Sequence, residues 1–186
     1  MEYIINIGIL FAIYAILSIS LNLVVGYTGL ISVGHAAFFG IGAYATALAT
    51  TNAGINPILS IVLGVVVAAV AATLIGIVLS RFRGDYYMLA SVGFNFIVFG
   101  AMTNWNSFTN GPLGISGIPR PRIFGFTFSS SALFLIFALI CFALVYLTAH
   151  YITKSSFGRV LKAIREDEDA LKVFGYKVEQ YKLTIF

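Results

Sequence analysis

Apolar runs separated by short polar breaks fill most of this chain, and the pattern stops abruptly near Lys154. Residues 3–25, 30–50, 58–80, 86–102 and 131–151 form apolar stretches. A helix rising 1.5 Å per residue needs about 20 such residues to cross a hydrocarbon core of roughly 30 Å. The breaks carry turn chemistry: Gly26–Gly29, then Asn52, Gly54 and Pro57, then Arg81–Asp85, then a loop over 103–130 rich in Asn, Gly and Pro. The pattern predicts an all-α, polytopic α-helical membrane protein with about five complete transmembrane helices in a single domain, 1–186.

The stretch 154–182 has the opposite character. It holds Lys154, Arg159, Lys162, Arg165, Lys172, Lys177 and Lys182, and also Glu166, Asp167, Glu168, Asp169 and Glu179. A charge at the bilayer centre costs at least about 2.5 kcal/mol, so this segment lies in water, and its basic excess points to the cytoplasm. By parity, 26–29 and 81–85 then face inward, 51–57 and 103–130 face outward, and Met1 starts outside. Arg81 and Arg83 agree with that orientation, whereas Arg120 and Arg122 oppose it mildly. The glycines of 30–50 leave that span open to being broken or re-entrant.

Within the polar stretch, Val160, Leu161, Ile164, Leu171 and Phe174 recur at helical spacing. Ser155 or Ser156 can cap a helix, the acids 166–169 favour a second helix start, and Gly175 is a natural stop. Two short helices, or one bent helix, on the membrane surface follow.

The chain is 186 residues long, with 60% hydrophobic and 10% charged residues. That composition excludes a single soluble core. The net charge of +4 rests on membrane-flanking loops and does not imply nucleic-acid binding. One cysteine, Cys141, excludes an intramolecular disulfide. The N-terminus lacks a basic region before its apolar run, so a retained first helix is expected. No P-loop, HExxH, Cys/His cluster or nucleophile elbow occurs, so neither enzymatic chemistry nor ATP hydrolysis is expected of this chain. No Asp, Glu, Lys or Arg lies centrally in a span, which argues against a proton- or ion-coupled carrier.

Polar and small residues inside the spans divide between helix packing and a translocation path. Ser32, Ala36, Gly40, Ala43 and Ala47 fall along one face, and Gly64, Ala68, Ala72, Gly76 and Ser80 repeat every four residues. Small residues at that spacing let backbones approach closely. His35 shares a stripe with Gly42, Thr46 and Thr50; an interhelical hydrogen bond is favoured there over a substrate contact. Asn22 and Asn95 weigh the same way, while Tyr44 is a candidate for the path. Tyr86, Tyr87 and Trp105 suit the bilayer interface.

Three segments carry a family resemblance. Leu21–Ala47, LNLVVGYTGLISVGHAAFFGIGAYATA, resembles the glycine-rich second-helix region of branched-chain amino acid permeases. Gly114–Ile115–Ser116–Gly117–Ile118–Pro119 resembles the same family's external loop. FGRVLKAIRED, followed by Asp169–Ala170–Leu171–Lys172–Val173–Phe174–Gly175, resembles the loop that ABC importer permeases present to their ATPases. The resemblance implies a permease subunit in the cell (inner) membrane, in contact with membrane lipid. It would act with a second permease subunit, two cytoplasmic ATP-binding subunits, an external binding protein and a small amino acid substrate. No cofactor is expected on this chain, since ATP would bind the partner subunits. Arg159, Leu161, Ile164, Asp169, Ala170, Leu171, Phe174 and Gly175 would then be the ATPase-coupling residues. Gly114, Gly117 and Pro119 would shape the external loop. Family permeases carry further helices, so this is expected to be a partial chain. A secondary carrier for a small metabolite and a non-transporting membrane scaffold stand as alternatives, and related permeases also carry urea or amides.

Overall fold

A computed structural model describes residues 2–82, 84–119, 122–123, 126–127 and 130–186. Met1, Arg83, Arg120 and parts of the expected external loop lie outside the described residues. The helices are α1 (Glu2–Thr28), α2 (His35–Thr51), α3 (Pro57–Leu79), α4 (Asp85–Asn104), α5 (Asn106–Thr109), α6 (Ser131–Lys154), α7 (Ser156–Glu166), α8 (Glu168–Val173) and α9 (Val178–Ile185). A 3-10 turn covers Gly111–Leu113, and two-residue strands β1 (Arg122–Ile123) and β2 (Phe126–Thr127) pair antiparallel within the loop. Among the described residues, α1, α3, α4 and α6 are long and apolar enough to cross a membrane.

The stretch expected to span from residue 30 is shorter than its apolar run. Gly29 turns the chain with φ +70, the Leu30 N–H is taken by Thr28 Oγ1 at 3.3 Å, and the helix begins only at His35. The Val33 N–H finds the buried Ser91 hydroxyl at 3.0 Å, so irregular backbone is satisfied by a side chain. The 17 residues of α2 reach only about 25 Å. His35 is therefore in the first turn of α2, not deep within a span.

The chain forms two compact units. One combines Met1–Ser32 with Ser129–Phe186; the other is Val33–Phe128. In the first, α1 packs along α6, and a Cβ on Gly8 would sit 3.1 Å from Leu135. Asn22 and Tyr27 near the far end of α1 share a hollow with Tyr146 and Thr153 near the far end of α6, so these two helices run parallel. In the second unit α2 and α3 form an antiparallel hairpin. Pro57 opens α3 and the Asn56 side chain caps it, accepting from the Ile58 N–H at 3.1 Å.

The small-residue face predicted on α3 is the one that packs. Gly64 and Gly76 are buried, and a Cβ on Gly64 would run into Thr46 and lie 2.7 Å from the Gly42 carbonyl. The face predicted on α2 is different. Ala36 and Ala43 are exposed, and Gly42 and Thr46 meet α3 instead. Ser32 lies ahead of the helix, buried in non-helical chain. Tyr86 is exposed as expected of an interface residue, but Tyr87 is buried.

Candidate functional site

The polar segment after α6 folds back on the end of α1. Ser155 leaves the helix in extended conformation, and its hydroxyl accepts from the Gly158 N–H at 3.3 Å, capping α7. Gly158 has no room for a side chain: a Cβ would lie 2.5 Å from the Thr153 carbonyl. One face of α7 is apolar and the other carries Arg159, Lys162 and Arg165. Leu161 (0% exposed), Ile164 (4%) and Val178 (0%) form the core of this region, with Tyr27, Phe157, Val160, Leu171, Tyr181 and Ile185 packed around them. Arg165 donates to the Gly26 carbonyl at 2.7 Å, placing a cation where the α1 dipole ends negative. Lys162 stands 5.3 Å over the Tyr27 ring.

Leu161 and Ile164, expected among the ATPase-coupling residues, are buried against the chain's own α9 and the end of α1. Arg159 is exposed and bonds the Ser156 hydroxyl at 2.8 Å.

A second helix follows at once. Asp167 is extended (φ −155, ψ 100), and its carboxylate accepts from the Ala170 N–H at 2.9 Å to cap α8. The helix ends in a Schellman turn: the Gly175 N–H donates to Lys172 O at 3.0 Å and the Tyr176 N–H to Leu171 O at 3.1 Å. Gly175 has φ +83, which makes glycine the residue suited to that position. Ala170 and Leu171 are half-buried, Asp169 is exposed, and Val173 (86% exposed) and Phe174 (79%) project from the tip.

Beneath the tip lies an ionic cluster that sequence reasoning missed. Glu168 accepts from Lys172 at 2.8 Å and from Lys182 on α9, which is only 5% exposed; Lys172 also reaches Glu179 at 3.5 Å. Burial alone would raise the Glu168 pKa, but the hydrogen bonds and charges of the two lysines outweigh it and hold the carboxyl below its usual value. The pairing of residues 168 and 182 spans fourteen positions and leaves no periodic signal. The caps were more legible, since Ser155 and Asp167 each precede a bonded N–H by three residues.

In the second unit, a hollow of about 680 Å³ opens among α2, α3, α4 and α5. Its walls include Leu48, Leu63, Ile97, Ala101 and Met102, with Asn52, Trp105 and Thr109 toward one end and Tyr44 on α2. A smaller hollow on the same tyrosine is lined by Ile115 and Ile118 of the loop after α5. Gly114 (φ +66) and Gly117 (φ +75) give that loop its shape, and Pro119 is exposed. Thr109 ties the loop to α4, its hydroxyl lying 2.7 Å from Met102 O and 2.8 Å from Trp105 O. Of the other path candidates, Gly40 faces Met102, Gly42 faces α3, and Asn95 is half-buried on α4. Asn22 belongs to the first unit, where it lines a hollow of about 250 Å³. Among the described residues no group of His, Cys, Asp and Glu is placed to hold a metal.

Apolar helices of membrane-crossing length, followed by the short helices α7, α8 and α9 of the charged segment, define a multi-pass helical membrane protein. The chain belongs to the family described as branched-chain amino acid transport system / permease component, whose model matches residues 3–186. It is 34% identical over 206 residues to the high-affinity branched-chain amino acid transport system permease protein LivM of Escherichia coli, covering 98% of this chain and 48% of that protein. The same figures hold for LivM of Salmonella typhimurium. A probable branched-chain amino acid transport permease protein LivM of Methanocaldococcus jannaschii is 27% identical over 213 residues, 93% of this chain and 59% of the relative. The chain thus spans about half the length of the curated relatives it matches. No solved structure matches it.

Proposed function

We propose that this chain is a membrane-spanning part of an ATP-driven importer for branched-chain or related amino acids, and that α7–α8 is the element through which a cytoplasmic ATPase drives it. Family membership supports the class. The observation that carries the coupling role is the α8 tip, where Val173 and Phe174 stand exposed on a segment too charged to enter the bilayer. Apolar side chains rimmed by Asp169, Lys172 and Lys177 suit a protein groove. The tip stands on a packed base, so a partner meets a preformed shape and avoids the cost of ordering a loop. On this reading the full importer includes a second permease, two ATP-binding subunits and an external binding protein that delivers the substrate. The hollow among α2, α3 and α4 suits an aliphatic side chain, and Tyr44 and Asn52 offer polar groups to the amino acid's charged end.

Phe174→Asp in the assembled importer tests the coupling role. Burying a phenylalanine contributes about 1.5–3 kcal/mol, so the ATPase should bind roughly 10- to 100-fold more weakly. Permease abundance should stay normal, because the ring is 79% exposed. ATPase co-purification and uptake at wild-type levels would rule the tip out as the docking element.

A further inference from the structure

We propose that Glu168 and Lys182 form a strut that carries displacement of the α8 tip into α9, so that both are positioning residues for coupling and neither is a docking residue. The proposal rests on the docking role given above to Val173 and Phe174. Three observations carry it. First, α8 has only six residues, far too few for a helix to hold itself in water, so its position is set by what it leans on. Second, it leans on α9 at two kinds of support. Leu171 packs on the cluster of Leu161, Ile164 and Val178, and Glu168 binds Lys182 across fourteen residues. Third, Lys182 is 5% exposed, unlike the ordinary surface lysines of this segment. An exposed ion pair separates at little cost, but a sequestered ammonium that loses its carboxylate is left uncompensated. Sliding α8 over α9 would do just that. The two helices therefore move together, and α7, tied to α1 by Arg165 and Gly26, moves with them through the shared core.

Lys172 has a different part. It pairs with Glu168 inside the same helix, four residues away. Its contact with α9, to the exposed Glu179 at 3.5 Å, is longer and open to solvent, so Lys172 stiffens α8 and ties it to α9 only weakly. The strut thus predicts unequal effects for two lysines on one carboxylate.

The test uses the complete importer in proteoliposomes, with ATP hydrolysis, uptake and ATPase co-purification measured on the same preparation. Lys182→Met keeps the aliphatic stem and removes the charge. It should retain co-purification and hydrolysis while uptake per ATP falls by about tenfold. Lys172→Met should lower that ratio by no more than about twofold. The charge-exchanged pair Glu168→Lys with Lys182→Glu should recover most of the lost coupling. An unchanged ratio in Lys182→Met overturns the strut, and so does loss of co-purification at normal abundance, which would mean that the pair merely shapes the docking surface. If Lys182→Met does not accumulate, the exchanged pair decides: recovered coupling supports the strut, and an abundant but uncoupled protein overturns it. Phe174→Asp run alongside separates the two ideas. Retained co-purification there sinks the docking reading, whereas its loss with unchanged coupling in Lys182→Met sinks only the strut.

Discussion

Glycines in this chain answer to two different demands, and each predicts a different response to alanine. Gly175 has open space around it, but its φ of +83 makes any side chain strained. Gly64 has ordinary helical backbone and no space, with Thr46 and the Gly42 carbonyl against it. Gly64→Ala must push α2 and α3 apart, which costs about 1–3 kcal/mol and should lower the thermal midpoint in detergent. Gly93, on α4 with nothing nearby, is the control: alanine there should be neutral or stabilise by up to about 1 kcal/mol. Equal midpoints for the two variants would show that the α2–α3 contact is not tight. Gly40 is an intermediate case, since it meets the flexible end of Met102 and the thioether can move aside. The four-residue repeat made the α3 face legible from sequence. On α2 the same reasoning chose Ser32, Ala36, Gly40, Ala43 and Ala47, of which Ala47 is buried but Ala36 and Ala43 are exposed, because alanine is small wherever it points.

Whole elements were easier to read than their ends and supports. The apolar runs predicted α1, α3, α4 and α6 closely, since length and hydropathy alone decide what can cross a bilayer. The glycines left 30–50 open to being broken, but the point where α2 begins escaped, because the irregular backbone of 30–34 rests on a hydrogen bond to Ser91, distant in sequence. The polar segment was legible as two short helices or one bent helix from its caps and its glycine stop, which is how α7 and α8 stand, whereas α9 was not read. Which of its apolar residues face inward was not, because the partners Tyr27 and Val178 are distant in sequence. The Arg165–Gly26 bond places the turn after α1 at the same end of α1 as α7. With Cys141 replaced, Ser107→Cys on α5 should react with an impermeant thiol reagent on intact cells, and Ser156→Cys on α7 should react only after permeabilisation. The reverse pattern would invert the topology.

On the proposed function, the decisive question for the molecule as a whole is where an aliphatic amino acid would pass. Tyr44, one of the path candidates in the sequence, lines two hollows, one walled by α3 and α4 and one bordered by Ile115 and Ile118. The remaining wall residues carry no distinctive sequence signal, since Leu48, Leu63 and Ile97 look like any lipid-facing positions. Ala101 offers a direct probe. It is exposed on α4 and lines the larger hollow, so a phenylalanine there fills space without displacing a core residue. A substrate pocket that loses room for one or two methylenes discriminates by about 1–3 kcal/mol. Ala101→Phe should therefore depress uptake of leucine by roughly 10- to 100-fold and that of alanine far less, with ATPase co-purification unchanged. If both substrates lose transport equally, the added ring blocks assembly or the common path. If neither changes, the hollow is covered by lipid or by another helix, and the aliphatic side chain travels elsewhere.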